Sequence, residues 1–132
     1  IMWEYVGMGR TEEGLKTALK LLKDIRKEFE TNLFIPGSTE GVNIELEKAL
    51  RLNDFITMGE LIAYDALNRN ESCGGHFREE YQTEEGEAKR DDENYFYVSC
   101  WEYQGSDDVA PVLYKEPLVY EAIKVQTRNY KS

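Results

Sequence analysis

The chain has 132 residues, with 26 acidic against 16 basic side chains and a formal net charge of -10. That size fits one domain, and the acidity excludes a phosphate-backbone binder, which needs clustered lysine and arginine, so no nucleic-acid partner is expected. Mean hydropathy is -0.63, and the sequence has no 18-residue apolar run or basic-then-apolar leader, so no direct membrane insertion is expected.

The chain opens at Ile1 and runs at once into Met2, Trp3, Tyr5 and Val6. An apolar, aromatic opening without an initiator methionine predicts a domain that belongs to a longer protein, since natural termini are usually polar and loose. Residues 2–8 read as a short helix that packs Trp3 and Val6 on the next one.

Residues 11–33 predict an amphipathic helix. Leu15, Ala18, Leu19, Leu22, Ile25, Phe29 and Leu33 recur at three- and four-residue steps, which stacks them on one face. Thr11 is placed to cap it, and Glu12 and Glu13 sit where the helix dipole favours negative charge. Lys16, Lys20, Lys23 and Lys27 fall on the wet side, and Pro36-Gly37 ends the segment.

Asn43 predicts the cap of a second long helix, over 44–69. Its middle, from Phe55 and Ile56 through Leu61, Ile62 and Tyr64 to Leu67, is apolar on nearly every side. Such a helix needs cover all round, so either a third element or a partner surface is expected on it.

Residues 71–93 hold nine acids and three bases, a net -6, which is most of the chain's excess. They show no helical or strand period and read as a long loop, partly disordered or ordered by a partner. Its elements are expected to be held by hydrogen bonds and ion pairs. Gly74 and Gly75 would allow a sharp bend close to another backbone. Arg90-Asp91-Asp92-Glu93 reads as a self-satisfying charged turn, with a docking edge as the alternative.

Beyond the loop, Tyr95, Tyr97, Ser99 and Trp101 alternate with Phe96, Val98, Cys100 and Glu102, the period of a strand. The run Gly105-Ser106-Asp107-Asp108 marks a turn. Val112–Tyr114 and 118–123 are expected as further short strands, kept short or on an edge by Pro111 and Pro117. The fold class is therefore mainly α with an α+β character: a small three-helix bundle, a long acidic loop and a short C-terminal β hairpin or tail. As a single domain over 1–132, it divides into helices to residue 70, the acidic loop over 71–93 and the β tail over 94–132.

Little in the sequence carries chemistry. Gly7-Met8-Gly9 lacks the third glycine of a nucleotide loop and no strand precedes it. The two cysteines, Cys73 and Cys100, fit reduced, buried thiols. His76 is the sole histidine, so Cys73-x-x-His76 is the nucleus of any metal site, with Cys100, Asp91 or Asp92 to complete it. A Cys73/His76 nucleophile pair would need an orienting group and an oxyanion hole that the sequence does not reveal. No catalytic, cofactor-binding or metal residue is therefore assigned. A stand-alone acidic interaction or metal-binding module using Cys73/His76 is the alternative function.

The run Glu71-Ser72-Cys73-Gly74-Gly75-His76-Phe77-Arg78-Glu79-Glu80-Tyr81, followed by Arg90-Asp91-Asp92-Glu93-Asn94, resembles a signature of succinate dehydrogenase and fumarate reductase flavoprotein subunits. That signature lies near their C-terminus and reads Glu-Ser-Arg-Gly-x-His-x-Arg before an Arg-Asp-Asp run. Met2-Trp3 with Val6-Gly7-Met8, Asn53 to Ala66 with Arg69, and Pro111-Val112 to Tyr130 with its Lys115-Glu116-Pro117 turn resemble the family's flanking segments. Two departures stand out: Cys73 replaces the usual arginine, and Glu79-Glu80 replaces the first aspartate. The segment 82–89 is similar to the longer acidic loop of one subgroup. L-aspartate oxidases, relatives with a similar loop, fit the RDDE run and β tail less well.

The resemblance implies a C-terminal structural domain that braces an FAD-binding domain of the same chain and faces an iron–sulfur subunit. The parent would hold FAD and interconvert succinate and fumarate, in a complex peripheral on the cytoplasmic face of the inner membrane. By itself the chain is expected to hold no cofactor and to be non-catalytic. The resemblance implies Glu71, Gly74, Gly75, His76, Arg78, Arg90, Asp91 and Asp92 as loop and interface candidates. An exposed hydrophobic patch from residues 55–67 or Trp3, with self-association through it, is the remaining expectation.

Overall fold

A computed structural model of the chain describes residues 1–106 and 108–126. Its elements are α1 (Met2–Tyr5), α2 (Glu12–Asn32), α3 (Ile44–Asn68), α4 (Asp92–Tyr95), β1 (Tyr97–Glu102) and β2 (Val112–Pro117). Two long helices, two single-turn helices and an antiparallel hairpin thus form the mainly helical fold the sequence implies.

Both long helices start where their caps are written. The Thr11 hydroxyl accepts the Gly14 N–H at 3.0 Å, and Asn43 Oδ1 accepts from Glu45 N at 3.0 Å and Leu46 N at 3.2 Å. Each cap satisfies N–H groups that a helix start leaves without an internal partner.

Leu15, Ala18 and Leu22 of α2 are buried with Ala63 and Ala66 of α3 and with Val6. Gly59 lies against Leu22, and Arg26 reaches Thr57 and Glu60. Later residues of α2 thus meet earlier residues of α3, and the two helices run antiparallel.

Three expectations for these helices change. Ile25 and Leu33 are exposed, whereas Arg26 is buried. The cause is Glu60: Arg26 Nη2 donates to it at 2.6 Å and to Thr57 Oγ1 at 3.1 Å, so a charged pair holds a place where the helical period alone wants an aliphatic. Trp3 does not pack inward with Val6. It is 95% exposed, while Val6 is 5% exposed, because a four-residue helix can direct only one side at α2.

The apolar middle of α3 is not covered all round. Ile56, Gly59, Ala63 and Ala66 are buried, but Phe55, Met58 and Ile62 stay exposed. The side toward α2 carries small residues, which let the two backbones approach; the bulky ones lie outside that contact.

The acidic segment packs against the ends of both long helices. Arg10 pairs with Arg78 in a parallel bridge, Cys73 with His76 and Gln82 with Ala88 in antiparallel ones. After α4, β1 pairs with β2 from Tyr97↔Pro117 to Glu102↔Val112. The strand expected as 112–114 runs on through Lys115 and Glu116 to Pro117, so those residues form no turn. No strand forms over 118–123. Leu118 N still donates to Phe96 O at 3.1 Å, and Tyr120 packs edge-on against Phe96 at 5.6 Å, so the chain stays on the β1 side without adding a third ladder. Of the expected turn over 105–108, Asp107 lies outside the described residues, as does the end of the tail over 127–132.

Candidate functional site

Residues 71–93 start as α3 ends, so the loop inherits that helix's unpaired carbonyls. Arg78 closes them. Its side chain is 1% exposed, and Nη1 donates to Ala66 O at 3.1 Å and Leu67 O at 3.3 Å, which places a cation at the negative end of the helix dipole. Two residues on, Glu80 Oε1 accepts the Glu12 N–H at 2.6 Å at the start of α2. Arg78 Nε and Glu80 Oε2 are paired at 3.1 Å. Burial would raise the Glu80 carboxyl, but these donors hold it below the ordinary carboxylate range.

Ser72 and Glu71 form the floor. Ser72 is fully buried; its hydroxyl donates to Arg78 O at 3.1 Å and accepts from Arg78 N at 2.8 Å. Glu71 is 2% exposed, with Oε1 accepting from Arg69 Nε at 2.8 Å and Oε2 from Asp91 N at 2.9 Å. A buried carboxylate satisfied on both oxygens fixes the return of the loop. Asp91 then caps α4 through Asn94 N, and Arg90 binds Asp92 at 2.9 and 2.5 Å, which raises the Arg90 pKa. The charged run therefore satisfies itself.

At the tip, Gly74 takes φ +58, a conformation that suits glycine. A β-carbon added at Gly74 or Gly75 would meet no heavy atom within 4 Å, so the close backbone approach expected of this pair is not found. His76 points back into the fold. Its Nδ1 lies 2.8 Å from Arg10 Nη1 and its Nε2 lies 2.9 Å from Arg69 O. A guanidinium only donates and a carbonyl only accepts, so the ring carries its proton on Nε2 and is neutral. Burial, opposed by the Arg69 carbonyl and reinforced by Arg10, Arg69 and Arg78, holds its pKa below 6.5.

His76, Arg10, Asp65, Arg69 and Cys73 line an open groove of about 590 Å³ whose far wall is Tyr97 and Trp101 of β1. Arg69 donates to Tyr95 O at 2.7 Å and lies over the rings of Tyr95 and Tyr97. Trp101 Nε1 donates to Asp65 at 2.8 Å, and the indole meets Tyr64 edge-on at 5.0 Å. These contacts pin the hairpin to the last turns of α3.

The structure thus brings Glu71, His76, Arg78 and Asp91 together around the end of α3, with Arg90 and Asp92 paired at the surface beside them. Sequence reasoning missed Arg10, the partner of His76, and the Asp65–Trp101 tie. A lone arginine just before a cap and an aspartate in an apolar run carry no pattern that could mark them. The expectation of buried thiols is corrected: Cys100 is exposed, on the outward period of β1, and Cys73 is half-buried at the tip.

The donor set gives no support for bound metal or flavin in this chain. Among the described residues no group of three or more His, Cys, Asp or Glu is arranged to hold a metal. A flavin's diphosphate needs a strand, a glycine-rich turn and a helix start; the sheet here is a two-stranded antiparallel hairpin preceded by a one-turn helix. Among the described residues no helix is long and apolar enough to cross a membrane.

Comparison with known proteins gives one family. Residues 1–130 match the model of the fumarate reductase flavoprotein C-terminal region. The chain is 30% identical over 118 residues to the fumarate reductase flavoprotein subunit of Helicobacter pylori, covering 89% of this chain and 16% of that one. It is 36% identical over 81 residues to an L-aspartate oxidase of Nicotiana tabacum, covering 61% of this chain and 12% of that one. FrdA of E. coli quinol fumarate reductase, carrying a point mutation, shares the fold, with a TM-score of 0.75 at 23% identity over 93% of this chain and 20% of that one. The chain therefore spans less than a quarter of each of these proteins.

Proposed function

The chain belongs to the fumarate reductase flavoprotein C-terminal domain family, and on that premise we propose that it is the structural and interface domain of a longer flavoprotein. The observation that carries this reading is the bare apolar surface. Trp3 is 95% exposed, and Met8, Phe55 and Met58 are also exposed; bulky apolar side chains left in water suit a surface that another part of a protein covers. We assign this surface to the FAD-binding part of the same polypeptide. The folded signature loop, with Gly74, Gly75, Arg90 and Asp92 at its surface, faces the iron–sulfur subunit in this proposal.

The parent would carry FAD and interconvert succinate and fumarate, in a complex held at the cytoplasmic face of the inner membrane. The Helicobacter match spans more of the chain than the tobacco one, which favours this branch over L-aspartate oxidase. The stand-alone metal module is not favoured.

Within that parent, this chain's residues orient and brace: Arg78 and Glu80 fix the ends of α2 and α3, and Glu71 fixes the loop's return. No proton or hydride step is assigned to them. The test supplies the flavin-binding part of such a subunit as a separate polypeptide. Co-purification with the 132-residue chain, weakened by Trp3→Ser and Phe55→Ser, supports the reading. Failure to associate, or succinate-dependent dye reduction by the chain alone, overturns it.

A further inference from the structure

We propose that the imidazole of His76 is an acid-released latch that holds the Cys73–His76 tip against the helices. The tip is a tight antiparallel turn, with Cys73 N to His76 O at 2.8 Å and His76 N to Cys73 O at 3.0 Å. Those two bonds are internal. Among the described residues, the hydrogen bonds that leave the tip both run through the His76 ring, to Arg10 Nη1 and to Arg69 O. Gly74 and Gly75 have open space where a side chain would be, so they add no packing of their own. The imidazole is the anchor.

The anchor works in one protonation state. With the proton on Nε2, the ring donates to the Arg69 carbonyl and accepts from Arg10. A second proton on Nδ1 removes the acceptor and sets an imidazolium 2.8 Å from a guanidinium nitrogen. The groups facing the ring from each packed element do not offset this. Arg10 comes from the link between α1 and α2, Arg69 and Asp65 from the end of α3, Arg78 and Cys73 from the loop, and Tyr97 from β1. Three are permanent cations. Asp65, the one carboxylate among them, accepts the Trp101 N–H and acts on Arg10, one negative charge against three positive ones, and the Glu71 carboxylate is taken by Arg69 and Asp91 N.

Arg10 itself stays in place when the latch opens. Its Nε donates to Val6 O and Gly7 O at 3.1 Å, and its backbone is bridged to Phe77 O and Glu79 N. The part free to move is therefore the tip, hinged at the buried Ser72. Its departure opens one wall of the Tyr97–Trp101 groove and bares the Cys73 thiol.

The single histidine makes a nuclear magnetic resonance test direct on the 132-residue chain. At pH 7.5 the ring nitrogens should report the Nε2–H tautomer. On acidification the Gly74 and Gly75 amides should gain fast motion in ¹⁵N relaxation, with the same inflection as the ring titration and below pH 6.5. One coupled proton changes the open-to-closed ratio by up to about tenfold per pH unit. His76→Gln should abolish the inflection, and Arg10→Met should move it upward. A ring proton on Nδ1 at pH 7.5 overturns the proposal. Glycine amides that stay unchanged while the ring titrates, or an unaltered inflection in either variant, overturn it too. If a variant does not fold, the wild-type tautomer and the coincidence of the two titrations still decide.

Discussion

Arg78 and Glu80, two residues apart and paired at 3.1 Å, close opposite ends of two different helices. The guanidinium takes the carbonyls at the end of α3 and the carboxylate takes the N–H at the start of α2. Each charge opposes the local helix dipole, so one short stretch of loop joins the helix ends electrostatically. Arg78 is nearly inaccessible while Glu80 is 39% exposed, and the two should respond differently to substitution. Arg78→Met should cost about 3 kcal/mol, because it leaves buried carbonyls without a donor. Glu80→Gln keeps an acceptor at an exposed position and should cost no more than about 1 kcal/mol. Urea midpoints of the two variants check the order; equal losses would contradict the buried role of Arg78.

Asn43 accepts two N–H groups at the start of α3. Asn43→Ala should therefore lower stability by about 1 kcal/mol, and Asn43→Asp should recover most of it. Thermal unfolding of the three chains is the measurement.

Gly59 of α3 is buried against Met2 and Leu22. A β-carbon there would lie 3.2 Å from Met2 Sδ and 3.5 Å from Leu22 Cδ2. Met2 is flexible, so Gly59→Ala should fall within about 1 kcal/mol of the wild type, its helix propensity offsetting the contact. Gly59→Leu has no such room and should cost upwards of about 2 kcal/mol by overpacking. Paired denaturation curves distinguish the two.

The exposed face predicts behaviour in solution. At rising concentration the chain should self-associate and bind an apolar dye, and Trp3→Ser with Phe55→Ser should reduce both. Sedimentation velocity and dye fluorescence provide the readouts; a monodisperse monomer without dye binding would remove the assignment of that face.

Acid should weaken the fold in two stages. His76 has a folded pKa below 6.5, so the unfolded chain binds more protons there, and stability falls as pH drops from 6.5 toward the folded value. Glu80 has a folded pKa below 4.5; its contribution is present above 4.5 and is lost as pH falls through the lower folded value. Urea midpoints from pH 7.5 to 3.5 test this, with His76→Gln expected to remove only the upper stage.

Much of the molecule was legible in local chemistry. Thr11 and Asn43 mark their helices because a cap is a contact between residues two or three apart. The signature loop was visible as a sequence resemblance, and Arg90 with Asp92 as a local pair. Arg26 misled the helical period because its partner, Glu60, is 34 positions away. The 118–123 segment has strand composition, but it follows Pro117, and its register with β1 ends at the Tyr97↔Pro117 pair.

The sequence by itself determined the family, the two long helices with their caps, and the place of the excess charge, since each rests on short spacings or ordered motifs. The tertiary structure alone decided that most of that loop is fastened to the helix ends, with Glu71 and Arg78 buried, and that Arg10 meets His76. The contacts of Arg78 with Leu67, Arg10 with His76 and Glu80 with Glu12 join residues 11, 66 and 68 positions apart. Such contacts depend on where antiparallel helices bring their ends together, and no local pattern encodes that.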